Sequence, residues 1–221
     1  MPPRPLQSKR KGAPRGAARS VVIFVHGYGA NGADLMGLAD PLAPHLPDTA
    51  FYSPDAPEHC PGNPFGFQWF PIPWLDGSSE EAARAGLVQA AEDLNAFIDR
   101  VLEDEGLPPS ALALVGFSQG TMMSLHIAPR RAEPLAAVVG FSGRLLHPEA
   151  LAAEAISKPP VLLIHGDADP VVPVQSLPEA ADTLVKAGFE TYAHVCKGVQ
   201  HSIDNEGLSL ALGFLHRKLP G

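Results

Sequence analysis

The chain has 221 residues, of which 45 % are hydrophobic and 18 % are charged, a composition typical of one soluble globular domain with a substantial core. The formal net charge of −8 argues against a nucleic-acid-binding body, and no apolar run reaches the length that a membrane span requires. Cys60 and Cys196 show no metal-ligand spacing, and the first residues lack the apolar core of a secretory signal. We therefore expect free thiols in a cytoplasmic protein without stable membrane insertion. A homodimer is possible, and the sequence does not decide it.

Residues 1–19 form a basic stretch that contains no acidic residue. Because the stretch is also rich in Pro, Gly and Ala, we interpret it as a flexible N-terminal arm, with an edge strand possible near residues 5–8. A contact with nucleic acid or an anionic membrane is the less favoured interpretation. Residues 20–221 are predicted to form a single domain. The basic residues of the arm are Arg4, Lys9, Arg10, Lys11, Arg15 and Arg19.

A β-branched run over residues 20–25 predicts a central strand, which leads into the glycine-rich loop 26–32. The loop lacks Gly-x-Gly-x-x-Gly and a Lys-Ser/Thr pair, so an oxyanion loop is favoured over a phosphate-binding one. In that role the backbone N–H of Tyr28 would donate to a developing oxyanion. His26, at the strand end, is expected to be a structural hydrogen-bonding residue. Asp34 is expected to cap the next helix, whose apolar stripe is Leu35, Leu38, Leu42 and Leu46.

Residues 54–77 show no periodicity and contain six prolines and several aromatic residues. A long loop of this kind in a compact domain is often functional. Its aromatic rings either form an acyl or alkyl pocket or fill the core beneath the loop. The two roles are equally favoured for Trp69 and Phe70. The core is favoured for Phe65 and Phe67, and the predicted substrate pocket consists of Trp69, Phe70, Ile72 and Trp74.

The clearest helical periodicity covers residues 80–102, and a short aliphatic strand over 111–115 follows it. The chain then turns sharply through Gly-Phe-Ser-Gln-Gly, residues 116–120, into another apolar helix. Such a turn projects its central side chain above the sheet, at the positive end of the helix. Ser118 is therefore a candidate nucleophile, and the backbone N–H of Gln119 points to where an oxyanion would form.

The remaining sequence, together with a short strand over residues 50–53, alternates strands and helices. This alternation predicts an α/β fold with a mostly parallel central sheet that is covered by helices on both faces. Ligands of such folds bind at the carboxyl ends of the strands. The predicted later segments are a strand and turn over 136–143, a helix over 148–155, a strand over 160–166, a helix over 175–187, a strand over 191–196 and a helix over 203–219.

A general base for Ser118 must lie in a loop at the same edge of the sheet. His194 falls inside a predicted strand, and His216 falls inside the final helix, which runs away from that edge. His201 lies in the loop between that strand and that helix, where its imidazole can reach the serine and accept its proton. His201 is therefore the candidate general base.

The carboxylate that orients this histidine is expected in loop 165–173, which contains two aspartates. Asp167 directly follows a glycine turn and is well placed to accept backbone N–H groups. Asp169 lies further along the loop, is fixed by Pro170 and is freer to reach the histidine, so it is the favoured choice. The resulting chain order of serine, aspartate and histidine is that of the α/β-hydrolase fold.

Four segments, residues 26–29, 116–120, 165–173 and 198–202, resemble the signature sequences of the phospholipase/carboxylesterase family. This family of small α/β-hydrolases includes bacterial carboxylesterases and acyl-protein thioesterases, and the resemblance runs from about residue 20 to the C-terminus. It implies an α/β-hydrolase fold without metal or cofactor. Thr121 and Pro71 depart from the pattern, and both are expected on the substrate side. The implied triad is Ser118, Asp169 and His201, with oxyanion donors from the Tyr28 and Gln119 backbones.

These observations predict a serine carboxylesterase that hydrolyses small-molecule esters of short to medium chain length. Nucleic acid is not expected as a partner. An acyl-protein thioesterase or lysophospholipase is the alternative within the same family. A ligand-binding protein that has lost catalysis is less favoured, because nucleophile, base and acid are all present.

Overall fold

Nine strands are present in the computed structural model, which describes residues 2–61 and 63–220. Seven of them form one sheet in the order β1-β3-β2-β6-β7-β8-β9; all neighbours are parallel except β1, which pairs antiparallel with β3. The strands are β1 (Ser8–Gly12), β2 (Ser20–Val25), β3 (Thr49–Pro54), β4 (Glu58–Cys60), β5 (Asn63–Gln68), β6 (Leu112–Phe117), β7 (Ala137–Phe141), β8 (Val161–Gly166) and β9 (Thr191–Cys196).

Helices cover both faces of this sheet, as the alternating pattern predicts. Side chains of β2 alternate between two apolar clusters: Val21, Ile23 and Val25 face one, and Val22 and Phe24 face the other. The helices are α1 (Gly32–Met36), α2 (Ala39–Leu42), α3 (Pro73–Asp76), α4 (Glu80–Glu105), α5 (Gln119–Ile127), α6 (Leu151–Glu154), α7 (Ser176–Lys186) and α8 (Asn205–Lys218). The first cluster includes residues of α4, α5 and α7, and the second includes residues of α1, α2 and α8.

The predicted α/β fold is therefore confirmed, and the strands at 20–25 and 191–196 have the predicted bounds. Helix α4 begins where Ser79 caps it by accepting a hydrogen bond from the N–H of Ala82, and it ends at Gly106 in the left-handed conformation. No helix in the described part of the chain combines the length and the hydrophobicity that crossing a membrane would need.

The helix predicted after Asp34 is broken into shorter pieces. Its cap is Asn31 rather than Asp34, which instead completes a capping box as the third residue of α1. Pro41 lies within α2, and Pro44 follows in a short 3-10 turn over Ala43–His45. Each proline lacks the N–H that a continuous helix requires, which explains why the leucine stripe does not form one helix.

The stretch over 54–77, predicted as an irregular loop, contains the β4–β5 hairpin and the short helix α3. The prediction that Phe65 fills the core is wrong: this residue lies on the hairpin and is 83 % exposed. Phe67 is partly buried, and its ring stacks on that of His59 at a centroid distance of 4.4 Å. The strands are too short, and too interrupted by Pro64 and Gly66, to show an alternating pattern.

Within the stretch predicted as a flexible arm, residues 8–12 form the edge strand β1, which begins where the edge strand expected near residues 5–8 would end. The Arg10 side chain reaches inward to Glu105 at 2.8 Å, and the Tyr52 hydroxyl donates to the same carboxylate. The Glu105 side chain is fully buried. Burial alone would raise the pKa of Glu105, but the hydrogen bonds from Arg10 and Tyr52 outweigh it and lower that pKa.

We expect Arg10→Met to lower the free energy of unfolding by about 3 kcal/mol, because it leaves the Glu105 carboxylate buried without its cation. Lys11→Met is the control on the same strand. Lys11 pairs with Asp40 at the surface, so its replacement should change stability by less than about 0.5 kcal/mol. Urea denaturation of both variants at pH 7 measures the difference.

The same ion pair should leave a signature in the pH dependence of stability. Because the pKa of Glu105 is lowered on folding, its contribution is complete above the unfolded value of 4.5 and is lost as the pH falls below it. The stability gap between the parent and Arg10→Met should therefore shrink below pH 4.5. A gap that stays constant from pH 7 to pH 4 would contradict this account.

Candidate active site

Ser118 lies at the sharp turn between β6 and α5, where it is the residue that precedes the helix. Its φ is +53°, a left-handed value that costs about 1–3 kcal/mol for a residue with a side chain. Two glycines make this turn possible. A Cβ at Gly120 would lie 1.7 Å from the carbonyl oxygen of Val25, and one at Gly116 would lie 2.5 Å from the backbone of Gly120.

Asp169 and His201 are brought together by the loops that follow β8 and β9. Asp169 Oδ2 lies 2.7 Å from His201 Nδ1, and Asp169 Oδ1 accepts the N–H groups of Val171 at 2.8 Å and Val172 at 2.9 Å. Burial would raise the pKa of Asp169, but the hydrogen bonds from His201 and the two N–H groups outweigh it and lower that pKa. The carboxylate therefore stays ionised in a fully buried position.

The hydrogen bond to Asp169 also determines the protonation of the imidazole. An ionised carboxylate can only accept, so Nδ1 of His201 donates and Nε2 of the neutral ring keeps its lone pair. The imidazole packs on the ring of Phe117, the neighbour of Ser118, at a centroid distance of 4.8 Å. The predicted base thus packs on the residue that precedes the predicted nucleophile, and its hydrogen bond to Asp169 uses Nδ1 and not Nε2.

The two aspartates of loop 165–173 have different partners. Asp167 Oδ1 accepts the N–H of Gly198 at 2.5 Å and so joins this loop to the loop that carries His201. The structure therefore pairs Asp169 with His201 and gives Asp167 a backbone partner, as the sequence analysis favours.

Sequence analysis missed a second imidazole at this aspartate. His165, which is buried, donates through Nε2 to the carbonyl oxygen of Val172 at 2.9 Å, and the same nitrogen lies 3.3 Å from Asp169 Oδ2. His165 therefore helps to hold the carboxylate. Its position at the end of β8, in the strand before the aspartate loop, was the available signal.

The glycine-rich loop after β2 passes close to Ser118. A Cβ at Gly27 would lie 3.2 Å from Cβ of Ser118. Within the part of the chain that the structure describes, the backbone N–H groups of Tyr28 and Gln119 have no protein acceptor. Gln119 is the first residue of α5, where an N–H is left unpaired by helix geometry. Both groups are thus available to an oxyanion at the serine.

Met122, one helical turn after Ser118, forms part of the wall of a cavity of about 420 Å³, whose lining includes neither Ser118 nor His201. Three of the four predicted pocket residues, Phe70, Ile72 and Trp74, also line it. Trp74 is largely exposed at the rim, where the Arg144 guanidinium lies 5.7 Å from its ring centroid. Other apolar residues of the wall are Leu87, Leu145 and Leu146.

The prediction that Trp69 lines the pocket is wrong. Its side chain is fully buried and its indole N–H donates to the carbonyl oxygen of His26 at 2.9 Å. The indole therefore belongs to the core beneath the loop. His26 is buried and hydrogen-bonded through both ring nitrogens, to Gly27 O and to Ala56 N.

The two departures from the family pattern lie in different places. Pro71 is part of the cavity wall, as expected. Thr121, expected on the substrate side, is buried, and its hydroxyl lies within hydrogen-bonding distance of the carbonyl oxygens of Gly116 and Phe141. Its methyl group occupies space that a Cβ at Gly140 would need, so Thr121 packs between α5 and β7.

Both cysteines are buried free thiols. Among the described residues, one group of side chains could share a metal ion, and it includes Cys196. The ligand atoms of His194, Cys196 and Glu206 lie within 4.8 Å of one another. No spacing motif indicates this group, because it joins β9 to the first turn of α8. His194 Nε2 already pairs with Glu206 Oε1 at 2.7 Å.

Known proteins resemble this chain over nearly its whole length. The family model described as Phospholipase/Carboxylesterase matches residues 10–219. The chain belongs to the phospholipase/carboxylesterase family. One relative, Esterase YpfH of Escherichia coli (strain K12), is 30 % identical over 213 residues, which are 94 % of this chain and 87 % of that protein.

A thioesterase and an esterase are also similar to this chain. Acyl-protein thioesterase 1 of Gibberella zeae is 27 % identical, and the match covers 91 % of each chain. The crystal structure of esterase PE8 is similar with a TM-score of 0.91 and 44 % identity, and the match covers 97 % of this chain and all of that one.

We expect Asp169→Asn to lower kcat/KM for a short-chain nitrophenyl ester by roughly 10³- to 10⁴-fold. An amide carries no negative charge to stabilise the imidazolium, and its N–H groups can favour the wrong tautomer of the neutral ring. Asp167→Asn is the matched control. Its amide oxygen still accepts the N–H of Gly198, so kcat/KM should change by less than about threefold. Equal losses in the two variants would contradict the pairing of Asp169 with His201.

Proposed function

We propose that this protein is a serine carboxylesterase that hydrolyses short- to medium-chain esters of small molecules through an acyl-enzyme. The observation that carries the proposal is the Asp169–His201 hydrogen bond beside the turn of Ser118, which leaves the basic nitrogen of His201 free. Carboxylic ester hydrolysis is also the activity for which the relatives esterase YpfH and esterase PE8 are named.

In the proposed reaction, Oγ of Ser118 attacks the acyl carbon while Nε2 of His201 takes its proton. The tetrahedral oxyanion accepts hydrogen bonds from the N–H groups of Tyr28 and Gln119. Collapse breaks the ester bond, and the leaving alkoxide takes the proton from His201. Water then gives a proton to Nε2 of His201 and attacks the acyl carbon; the bond to Oγ of Ser118 breaks, Oγ takes the proton back and the carboxylic acid leaves. Asp169 stabilises the imidazolium in both halves.

The cavity beside Met122 is suited to the apolar part of such an ester. Its wall is mainly apolar, and its volume of about 420 Å³ is in the range of pockets that hold small molecules. Charged side chains at its rim include both Arg144 and Glu149, so the cavity favours no single sign of charge. An apolar acyl or alkyl chain is therefore the occupant that we propose.

Acyl-protein thioesterase or lysophospholipase activity is the second candidate. The similarity to acyl-protein thioesterase 1 of Gibberella zeae favours it, since that protein shares the family and 27 % of the aligned residues. The same nucleophile and base would serve a thioester, so the two candidates differ in substrate rather than in machinery. Turnover of matched butyryl ester, butyryl thioester and lysophosphatidylcholine substrates distinguishes them.

A cytoplasmic location is part of the proposal. Both thiols are free and buried, which is typical of a reducing compartment. Fractionation of the native host, with detection of the full chain, tests this location.

Size-exclusion chromatography with light scattering tests whether the protein forms a homodimer.

We expect Ser118→Ala to lower kcat for p-nitrophenyl butyrate by at least about 10⁴-fold, because the nucleophile is lost. The parent enzyme should become covalently labelled by a fluorophosphonate at this residue, and the variant should not. Ser124→Ala is the control and should keep its activity and its labelling, since Ser124 is a buried serine within α5 whose hydroxyl donates to Gly120 O. Full activity of Ser118→Ala would refute the proposed function.

We expect Met122→Trp to narrow the cavity and to change the chain-length preference. The ratio of kcat/KM for p-nitrophenyl octanoate to that for the acetate should fall about tenfold, because the longer chain loses apolar contact. Val88→Trp is the control on the exposed face of α4. An unchanged ratio in Met122→Trp would place the acyl chain elsewhere.

A further inference from the structure

The buried side chain of Gln119 connects the first turn of α5 to the segment after β5. Its Oε1 accepts the N–H of Trp69 at 2.9 Å, and its Nε2 donates to the carbonyl oxygen of Phe70 at 2.7 Å. The side chain has no exposed surface, so both bonds are shielded from water. The residue whose backbone N–H faces the proposed oxyanion thus also fixes a neighbouring segment.

The indole of Trp69 extends this connection to the glycine-rich loop. Its Nε1–H donates to the carbonyl oxygen of His26 at 2.9 Å, and the ring is fully buried. His26 is two residues before Tyr28, the source of the other proposed oxyanion N–H. Hydrogen bonds of two side chains therefore link the segments that carry the two donors.

The imidazole of His26 holds the far end of the connection. Nδ1 lies 2.8 Å from the carbonyl oxygen of Gly27, which can only accept, and Nε2 lies 2.9 Å from the N–H of Ala56, which can only donate. These partners select one neutral tautomer. Burial lowers the pKa of His26 and so favours that neutral form.

We propose that Gln119, Trp69 and His26 form a brace that sets the spacing of the two oxyanion donors, with the Gln119 and Trp69 side chains as positioning residues. The inference rests on the proposed function, because it needs the N–H groups of Tyr28 and Gln119 to bind an oxyanion. Donors fixed before the reaction stabilise the transition state without reorganisation, and a misplacement of about 1 Å costs up to 10²-fold in rate.

A role in packing alone predicts a different result. Trp69 does not line the cavity, so loss of its N–H leaves the binding surface for the ground-state ester unchanged. A brace on the oxyanion donors should affect kcat and the binding of transition-state mimics, with KM nearly constant. A loss of core packing should instead lower thermal stability without a selective effect on kcat.

The first variant is Trp69→Phe, which keeps a buried ring and removes the N–H donor. We expect kcat for p-nitrophenyl butyrate to fall about tenfold with KM unchanged within about twofold. A trifluoromethyl ketone that forms a hemiketal oxyanion with Ser118 should bind about tenfold more weakly, in step with kcat.

The matched control for lost packing is Phe97→Leu on α4, since Phe97 is a buried aromatic residue in the same apolar cluster as Trp69. Phe97→Leu should lower the melting temperature by about as much as Trp69→Phe does, while kcat and the affinity for the ketone change by less than about twofold.

A second pair of variants tests the amide and does not depend on the stability of Trp69→Phe. Gln119→Met keeps the backbone N–H and the side-chain length but removes both side-chain hydrogen bonds, whereas Gln119→Glu keeps the acceptor for Trp69 N. We expect Gln119→Met to lower kcat about tenfold. The double variant Trp69→Phe/Gln119→Met should lose less than the product of the single losses, because both act through one brace.

Three results would overturn the brace. They are a ketone affinity unchanged in both Trp69→Phe and Gln119→Met, a kcat loss in Phe97→Leu as large as in Trp69→Phe, and a change confined to KM. These results are distinct from failure of the proposed function, which fluorophosphonate labelling and Ser118→Ala report. If the parent is labelled at Ser118 and the brace variants behave like Phe97→Leu, the brace alone is wrong.

Discussion

The structure of the site depends on one close approach of backbone, where the first turn of α5 crosses the end of β2. A side chain at position 120 would place its Cβ 1.7 Å from the carbonyl oxygen of Val25, so only glycine fits there. This crossing accounts for the left-handed φ of Ser118. It also brings the first turn of α5, where N–H groups are left unpaired, close to the glycine-rich loop after β2, in which a Cβ at Gly27 would lie 3.2 Å from Cβ of Ser118. One packing constraint thus underlies the positions of both the proposed nucleophile and the proposed oxyanion donors.

A second close approach of backbone occurs at the ends of β8 and β9. A Cβ at Gly166, the last residue of β8, would lie 2.1 Å from the carbonyl oxygen of Val199. The N–H of Ala168 donates to that oxygen, and Asp167 accepts the N–H of Gly198. The loops after β8 and β9 are therefore held against each other along their backbones. The bond between Asp169 and His201 needs this arrangement, because two separate mobile loops would not maintain a 2.7 Å contact.

The parallel sheet and the chain order of the candidate serine, aspartate and histidine could be predicted, because both leave signals in the local sequence. The strand over 20–25 is an unbroken β-branched run, and Ser118 is flanked by glycines between a strand and a helix. What could not be predicted depends on contacts between distant residues. The N-terminal stretch was interpreted as flexible because it is basic and rich in Pro, Gly and Ala, yet Arg10 pairs with Glu105, 95 residues away. Trp69 carries no local sign that its indole bonds to His26 rather than to a substrate.

The β4–β5 hairpin connects the proposed oxyanion loop to the wall of the cavity. Gly29 N donates to Phe67 O at 2.9 Å, and Phe67 N donates to Ala30 O at 2.8 Å, so β5 is bonded directly to the oxyanion loop. The same chain continues within a few residues into Phe70 and Ile72 of the cavity wall. Backbone bonds of this kind preform the site rather than leave it to be assembled by substrate. If the proposed acyl site and oxyanion donors are right, an ester that displaces the wall also disturbs the loop that carries Tyr28, and we expect it to be discriminated against in the chemical step as well as in binding.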